Sequence, residues 1–136
     1  TYGPLMFKDD GRVVSNFIFN ALRNKPIKIY GNGKQTRSLC FIDDLITGLI
    51  KIANLSDNVK GPLNIGNDQE ITINDLCSKI LKITNSKSKI IHTDLPEDDP
   101  KIRKPDLTRI KKLINWKPQV SLNDGLVATV NYFKKL

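Results

Sequence analysis

Two arginines, Arg37 and Arg103, each sit at the end of a stiff, well-punctuated segment. The first segment is Tyr30-Gly31-Asn32-Gly33-Lys34-Gln35-Thr36-Arg37-Ser38 and the second is Asp98-Asp99-Pro100-Lys101-Ile102-Arg103-Lys104-Pro105-Asp106. A guanidinium is a planar fork that donates paired hydrogen bonds to phosphate oxygens. Two such forks on separate elements can grip one small doubly charged anion, such as a diphosphate, from two sides. The pattern predicts an anion-binding enzyme. Gly31-Asn32-Gly33 has neither the third glycine of a dinucleotide fingerprint nor the spacing of a P-loop, and it predicts a hairpin turn instead. Cys40 and Cys77 lie in apolar segments with no CxxC spacing and no flanking His. They read as buried thiols in a reducing compartment, not as a disulfide or a metal site. His92, inside Ile90-Ile91-His92-Thr93, reads as a strand-edge residue and not as a catalytic base.

The elements that must position these residues follow from periodicity. Apolar side chains at 13, 14, 17, 18, 21 and 22 predict a helix closed by Pro26. Ile27-Lys28-Ile29-Tyr30 alternates as a half-buried strand, and a second short strand is expected from about Thr36 to Phe41. Asp43 is expected to cap a helix carrying Ile42, Leu45, Ile46, Leu49, Ile50 and Ala53, and Pro62 to Gly66 is expected to be a short strand. Thr72 with Asp75 predicts the capped start of a helix burying Ile73, Leu76, Cys77, Ile80 and Leu81. Ile90 to Thr93 is a further strand candidate, and Ser121 caps a last helix through Leu122, Leu126, Val130 and Phe133. Asp94 to Asp106, with three prolines and five acidic residues, reads as a long loop. Alternating strands and helices define an α/β architecture.

The chain has 136 residues, 39 % of them hydrophobic and 26 % charged, the composition of a globular domain. No apolar run approaches the roughly 20 residues of a membrane span, and no signal-peptide pattern opens the chain. The predicted strands are few, short and separated, so the chain is expected to be a piece that completes a larger enzyme. Its net charge of +8 raises nucleic acid as a partner. Seven of the basic residues fall between Lys101 and Lys117 against one Asp. Arg109, Lys111 and Lys112 among them lie on the polar side of a short helix whose apolar side is Leu107, Ile110, Leu113 and Ile114. A solvated helix face accounts for them, and no aromatics are interleaved as a single-strand stacking platform requires.

In order and spacing, several segments resemble the C-terminal half of the extended short-chain dehydrogenase/reductase family that acts on nucleotide sugars, nearest to its UDP-glucuronate decarboxylase group. The carriers are Thr1-Tyr2-Gly3-Pro4, Asp10-Gly11-Arg12-Val13-Val14-Ser15-Asn16-Phe17-Ile18, Gln35-Thr36-Arg37, Phe41-Ile42-Asp43-Asp44-Leu45 and Leu63-Asn64-Ile65-Gly66-Asn67. The run from Asp98 to Asp106 and Trp116-Lys117-Pro118 complete the set. Leu5, where the family usually has Arg, and Phe7, where a polar residue is common, depart from it.

The resemblance implies a Rossmann-type α/β enzyme of which residues 1–136 are the substrate-binding portion. Segments from about 38 to 66 would pack on a Rossmann sheet that is not in this chain. It implies NAD as cofactor, with Thr1 and Arg12 on the cofactor side, and a UDP-sugar substrate. Ser15, beside Val14 and Phe17, would help line the nucleotide-sugar pocket. Tyr30 would receive the uracil, and Gln35, Arg37 and Arg103 would hold the ribose and diphosphate. The family's catalytic Tyr and Lys would lie upstream of Thr1, so no catalytic residue is assigned here. A homodimeric parent is implied, cytoplasmic if bacterial. The plainer readings stand beside these: Val14 and Phe17 as core, Tyr30 as a strand aromatic, Ser15 as a helix-surface hydroxyl, Arg12 as a solvated loop charge. A nucleotide-sugar 4,6-dehydratase or 4-epimerase remains an alternative within the family, and a basic nucleic-acid-binding module an alternative outside it.

Overall fold

The computed structural model describes residues 1–8, 10–55, 59–94, 100 and 102–136. Helix α1, Val13–Leu22, turns Val14, Phe17, Ile18 and Ala21 inward, the three- and four-residue spacing of one helix face. Strand β1, Ile27–Tyr30, follows directly after Pro26. Ile27 and Ile29 point into the core, while Lys28 and Tyr30 point out.

The expected hairpin does not form. Gly31 and Gly33 do take positive φ, 61° and 70°, and the Asn32 carboxamide accepts from the Lys34 N–H at 3.0 Å. The turn nevertheless hands the chain from one sheet to another instead of folding it back. Strand β2, Thr36–Ser38, pairs antiparallel with β3, Glu70–Thr72. Strand β1 pairs in parallel with β4, Ile90–Thr93, with Ile27 opposite Ile90 and Tyr30 opposite Thr93. The Gly31 N–H extends that second ladder by donating to the Thr93 carbonyl at 2.7 Å. His92 lies on β4, and its Nδ1 is 2.8 Å from the Gly31 carbonyl, so that nitrogen carries the proton.

Helix α2, Ile42–Ala53, follows, but Asp43 does not cap it; the N-cap is Phe41, without a side-chain bond. Its neighbour Asp44 is buried instead and accepts from the N–H groups of Gln119 and Val120, both at 2.9 Å. Residues 62–66 are not a strand either. No ladder partner for them exists among the described residues, and the segment is held by side chains. Asn64 donates to the Asp106 carbonyl at 3.2 Å, and Ile65 packs on a small cluster of Cys40, Leu107, Ile110 and Trp116.

Helix α3, Ile73–Thr84, has the predicted reciprocal cap. The Thr72 hydroxyl accepts from the Asp75 N–H at 3.0 Å and donates to its carboxylate at 2.6 Å. Helix α4, Thr108–Ile114, buries Leu107 and Ile110, but Leu113 is exposed, so its apolar stripe is narrower than expected. Two of its cations, read as solvated, are spent on the 60–68 segment. Arg109 donates to the carbonyls of Lys60 and Pro62, and Lys111 pairs with Asp68 at 2.6 Å. Helix α5, Leu122–Phe133, is capped by Ser121 as predicted. Helices α1, α3 and α5 pack around β1 and the edge-to-face pair Tyr2 and Phe41, forming the main core. Cys40 and Cys77 are buried free thiols, and burial pushes the Cys77 thiol up to about 11.

Candidate functional site

Beside the start of α1 and strands β1 and β2 lies a cavity of about 1130 Å³. Among the described residues its lining includes Arg12, Lys25, Lys28, Arg37 and Arg103 and not one carboxylate. A concave surface of one sign focuses its field on an oppositely charged ligand. The arrangement suits a polyanion with an apolar or aromatic part, because Tyr30, Ile29, Ile91 and Leu39 supply flat and aliphatic walls.

Each clamp residue is positioned by a different device. Arg37 occupies the middle of β2, opposite Ile71, and its Nη1 donates to the carbonyls of Thr36 at 2.7 Å and Pro100 at 2.8 Å. Arg103 belongs to the loop before α4 and is held through its main chain, its carbonyl accepting from the Ser38 N–H at 3.2 Å. The next residue, Lys104, lies 3.6 Å from the Glu70 carboxylate, which also takes the Thr36 hydroxyl at 2.6 Å. The Arg103 segment is thereby fastened along the β2–β3 pair, and both arginines open on one cavity. Asp98, Asp99 and Lys101 of the motif lie outside the described residues.

Gln35 lines the same cavity and donates its side-chain amide to the Tyr30 carbonyl at 2.8 Å, bracing the Gly31–Gly33 turn. Tyr30 ends β1 with 52 % of its surface open, so its ring is free to stack. Thr1 and Arg12 line another stretch of the wall, both exposed. Val14 and Phe17 are core residues that also reach the lining.

Ser15 departs from expectation. It is neither in the cavity lining nor on the helix surface; it is fully buried and its hydroxyl donates to the Asp10 carboxylate at 2.5 Å. Lys28 was not anticipated, although the alternation of β1 puts it on the same face as Tyr30. Ser38 also reaches the lining, its hydroxyl buried without a partner among the described residues. Tyr30 and Lys34 have the spacing of a Tyr-x-x-x-Lys pair, which the expectation of no catalytic pair in this chain overlooks. The four-residue spacing brings side chains together only on a helix, and here it spans a glycine turn after a strand. Among the described residues there is no cluster of metal-ligating side chains, and no helix is long and apolar enough to cross a membrane.

Residues 1–66 match the family model described as the NAD dependent epimerase/dehydratase family. By sequence and by fold the chain resembles a portion of an extended short-chain dehydrogenase/reductase. Among curated proteins it is 44 % identical over 135 residues to UDP-glucuronic acid decarboxylase 4 of Arabidopsis thaliana, covering 99 % of this chain and 30 % of that protein. It is 42 % identical over 135 residues to UDP-glucuronic acid decarboxylase 1 of Xenopus tropicalis, covering 99 % and 32 %. The chain thus spans about a third of the length of these relatives. Among solved structures it superposes on the UDP-glucuronic acid 4-epimerase of Bacillus cereus in complex with UDP-glucuronic acid and NAD, with TM-score 0.90 and 32 % identity. That match covers 98 % of this chain and 42 % of the other. The UDP-glucose 4-epimerase of Thermotoga maritima with UDP-glucose gives TM-score 0.92 at 30 % identity, over 98 % and 43 %.

Proposed function

We propose that this chain is the UDP-binding portion of an NAD-dependent UDP-glucuronate decarboxylase that yields UDP-xylose. The observation that carries the proposal is the cavity, without a carboxylate among its described lining residues, where Arg37 and Arg103, from distant parts of the chain, line one space with Tyr30 and Gln35. In this reading the two arginines take the diphosphate, Gln35 the ribose and Tyr30 the uracil. The exposed guanidinium of Arg12 suits a phosphate-bearing cofactor at the edge of the same cavity, with Thr1 beside it. When bound, NAD would accept hydride from sugar C4 and return it after the 4-keto sugar has lost its C6 carboxylate as CO₂. The role of this chain is orientation: binding energy from the remote diphosphate fixes C4 for the reaction.

The rest of the enzyme, with its dinucleotide-binding sheet and catalytic Tyr and Lys, would lie outside residues 1–136. Segments from about 38 to 66 would pack on that sheet, and the parent would be a homodimer, cytoplasmic if bacterial. The decisive experiment is incubation of the full-length protein with UDP-glucuronate and NAD. Release of CO₂ with formation of UDP-xylose is expected. The likeness to a UDP-glucuronic acid 4-epimerase favours a second reading with the same clamp, and formation of UDP-galacturonate without CO₂ would establish it in place of the first. The comparisons give the nucleic-acid-binding alternative no support.

A further inference from the structure

We infer that Asp10 and Ser15 are positioning residues that set the Arg12 guanidinium at the cavity edge for a phosphate of the cofactor. This rests on the reading above that Arg12 faces the cofactor. The Asp10 carboxylate is engaged at both oxygens. One accepts the Ser15 hydroxyl at 2.5 Å and the Arg12 N–H at 3.0 Å. The other lies 3.6 Å from Nε of Arg12. The Arg12 carbonyl, 3.0 Å from the Ser15 hydroxyl, accepts from the Asn16 N–H at 3.0 Å, so Arg12 is tied at its amide, its carbonyl and its side chain.

The local sequence explains why this arrangement forms. Gly11 has φ 73°, a left-handed backbone that glycine adopts without strain, and it lets Asp10 turn back over Arg12. Arg12 is the N-cap of α1, a position whose amide has no partner within the helix, and the Asp10 carboxylate accepts from it. Ser15 sits on the buried face of α1 between Val14 and Phe17, where an unpaired hydroxyl would be costly. Its presence there is explained by the Asp10 carboxylate. The Arg12 side chain is 64 % exposed, and the only partner recorded for its guanidinium among the described residues is Asp10. A long exposed arginine otherwise samples many rotamers, and that freedom would have to be lost on each binding event.

The test measures the NAD dissociation constant of the full-length protein by titration calorimetry, beside the KM for UDP-glucuronate and the thermal midpoint. Variants are Arg12→Ala, Ser15→Ala, Asp10→Ala, and each of the last two combined with Arg12→Ala. Ser15→Ala and Asp10→Ala are expected to weaken NAD binding about fivefold alone and to add nothing once Arg12 is alanine, the non-additivity of residues acting through one group. The KM for UDP-glucuronate should stay within about twofold, a split between ligands that a general packing defect would not produce. Should Ser15→Ala fail to fold, Asp10→Ala, in the loop before the helix, carries the test. Equal weakening with and without Arg12, or no weakening while Arg12→Ala weakens, overturns the positioning role and leaves the cofactor reading intact. An Arg12→Ala protein with unchanged NAD affinity overturns the cofactor-side reading itself.

Discussion

The guanidinium of Arg37 has carbonyl partners at Thr36 and Pro100, whereas Arg103 is held by its main chain. The two therefore answer different questions when truncated. Arg103→Ala in the full-length protein removes a ligand contact and leaves the Ser38–Arg103 backbone bond in place. Loss of a charged group from a desolvated phosphate contact should cost on the order of 2–5 kcal/mol, read as a higher KM for UDP-glucuronate. Arg37→Ala should raise KM at least as much and also loosen the Pro100 segment. Arg37→Lys, which keeps the charge but not the fork, should recover only part of the loss. Steady-state kinetics decide the matter, and wild-type KM in both alanine variants would remove the clamp. At this scale the site was largely readable, because guanidinium chemistry belongs to the residue and not to the fold. Residue type and spacing single out Arg37 and Arg103, the family resemblance adds Gln35 and Tyr30, and the four line one cavity. Ser15 was misplaced because which face of α1 meets the 10–12 loop depends on the backbone path at Gly11, which no periodicity records.

Among the elements, capping by one hydroxyl and anchoring by one carboxylate make a graded pair of predictions. The Ser121 hydroxyl accepts from the Asp124 N–H at 3.1 Å, and its loss in Ser121→Ala should destabilise the protein by about 1 kcal/mol. Asp44 joins the first turn of α2 to the chain entering α5 by accepting two N–H bonds while buried. Asp44→Ala strands both donors and should cost roughly 2–3 kcal/mol, with Asp44→Asn, which keeps an acceptor, in between. Urea unfolding of the three variants gives the order, and an Asp44→Ala protein no less stable than Ser121→Ala would refute the anchoring role. The same contrast shows what sequence reveals about elements. Caps at Thr72 and Ser121 and the periods of α1, α3 and α5 are local signals, and all appear as predicted. The failed hairpin after Tyr30, the absent strand at 62–66 and the buried Asp44 are settled by partners tens of residues away. For β1 that partner is β4, which competes for the edge the hairpin would have used.

Over the whole molecule, the unbalanced feature is helix α2. On one side Gly48 lets the helix approach Trp116 so closely that a Cβ there would meet the indole at 2.9 Å. On the other side Ile46, Leu49 and Ile50 are about half exposed, at 48 %, 48 % and 57 %. The apolar arc of α2 thus extends beyond its buried side, opposite the polar edge of Asp43, Thr47 and Lys51, and a contiguous exposed aliphatic face marks an interface. The chain spans about a third of its curated relatives, so the proposed occupant of that face is the remainder of the same enzyme. Residues 1–136 expressed alone should therefore self-associate, bind an apolar dye and fail to turn over UDP-glucuronate. Joint Ile46→Lys and Ile50→Lys replacement should make the isolated chain more monomeric, since charge now covers the patch. In the full-length protein the same pair should have the opposite effect, lowering stability by about 3 kcal/mol or more, because the two side chains would lose buried contacts. Sedimentation of the isolated chain and thermal unfolding of the full-length protein report the two arms. The reversal of sign between them is the signature of an internal interface. A full-length protein indifferent to both lysines would mean that α2 faces solvent in the intact enzyme.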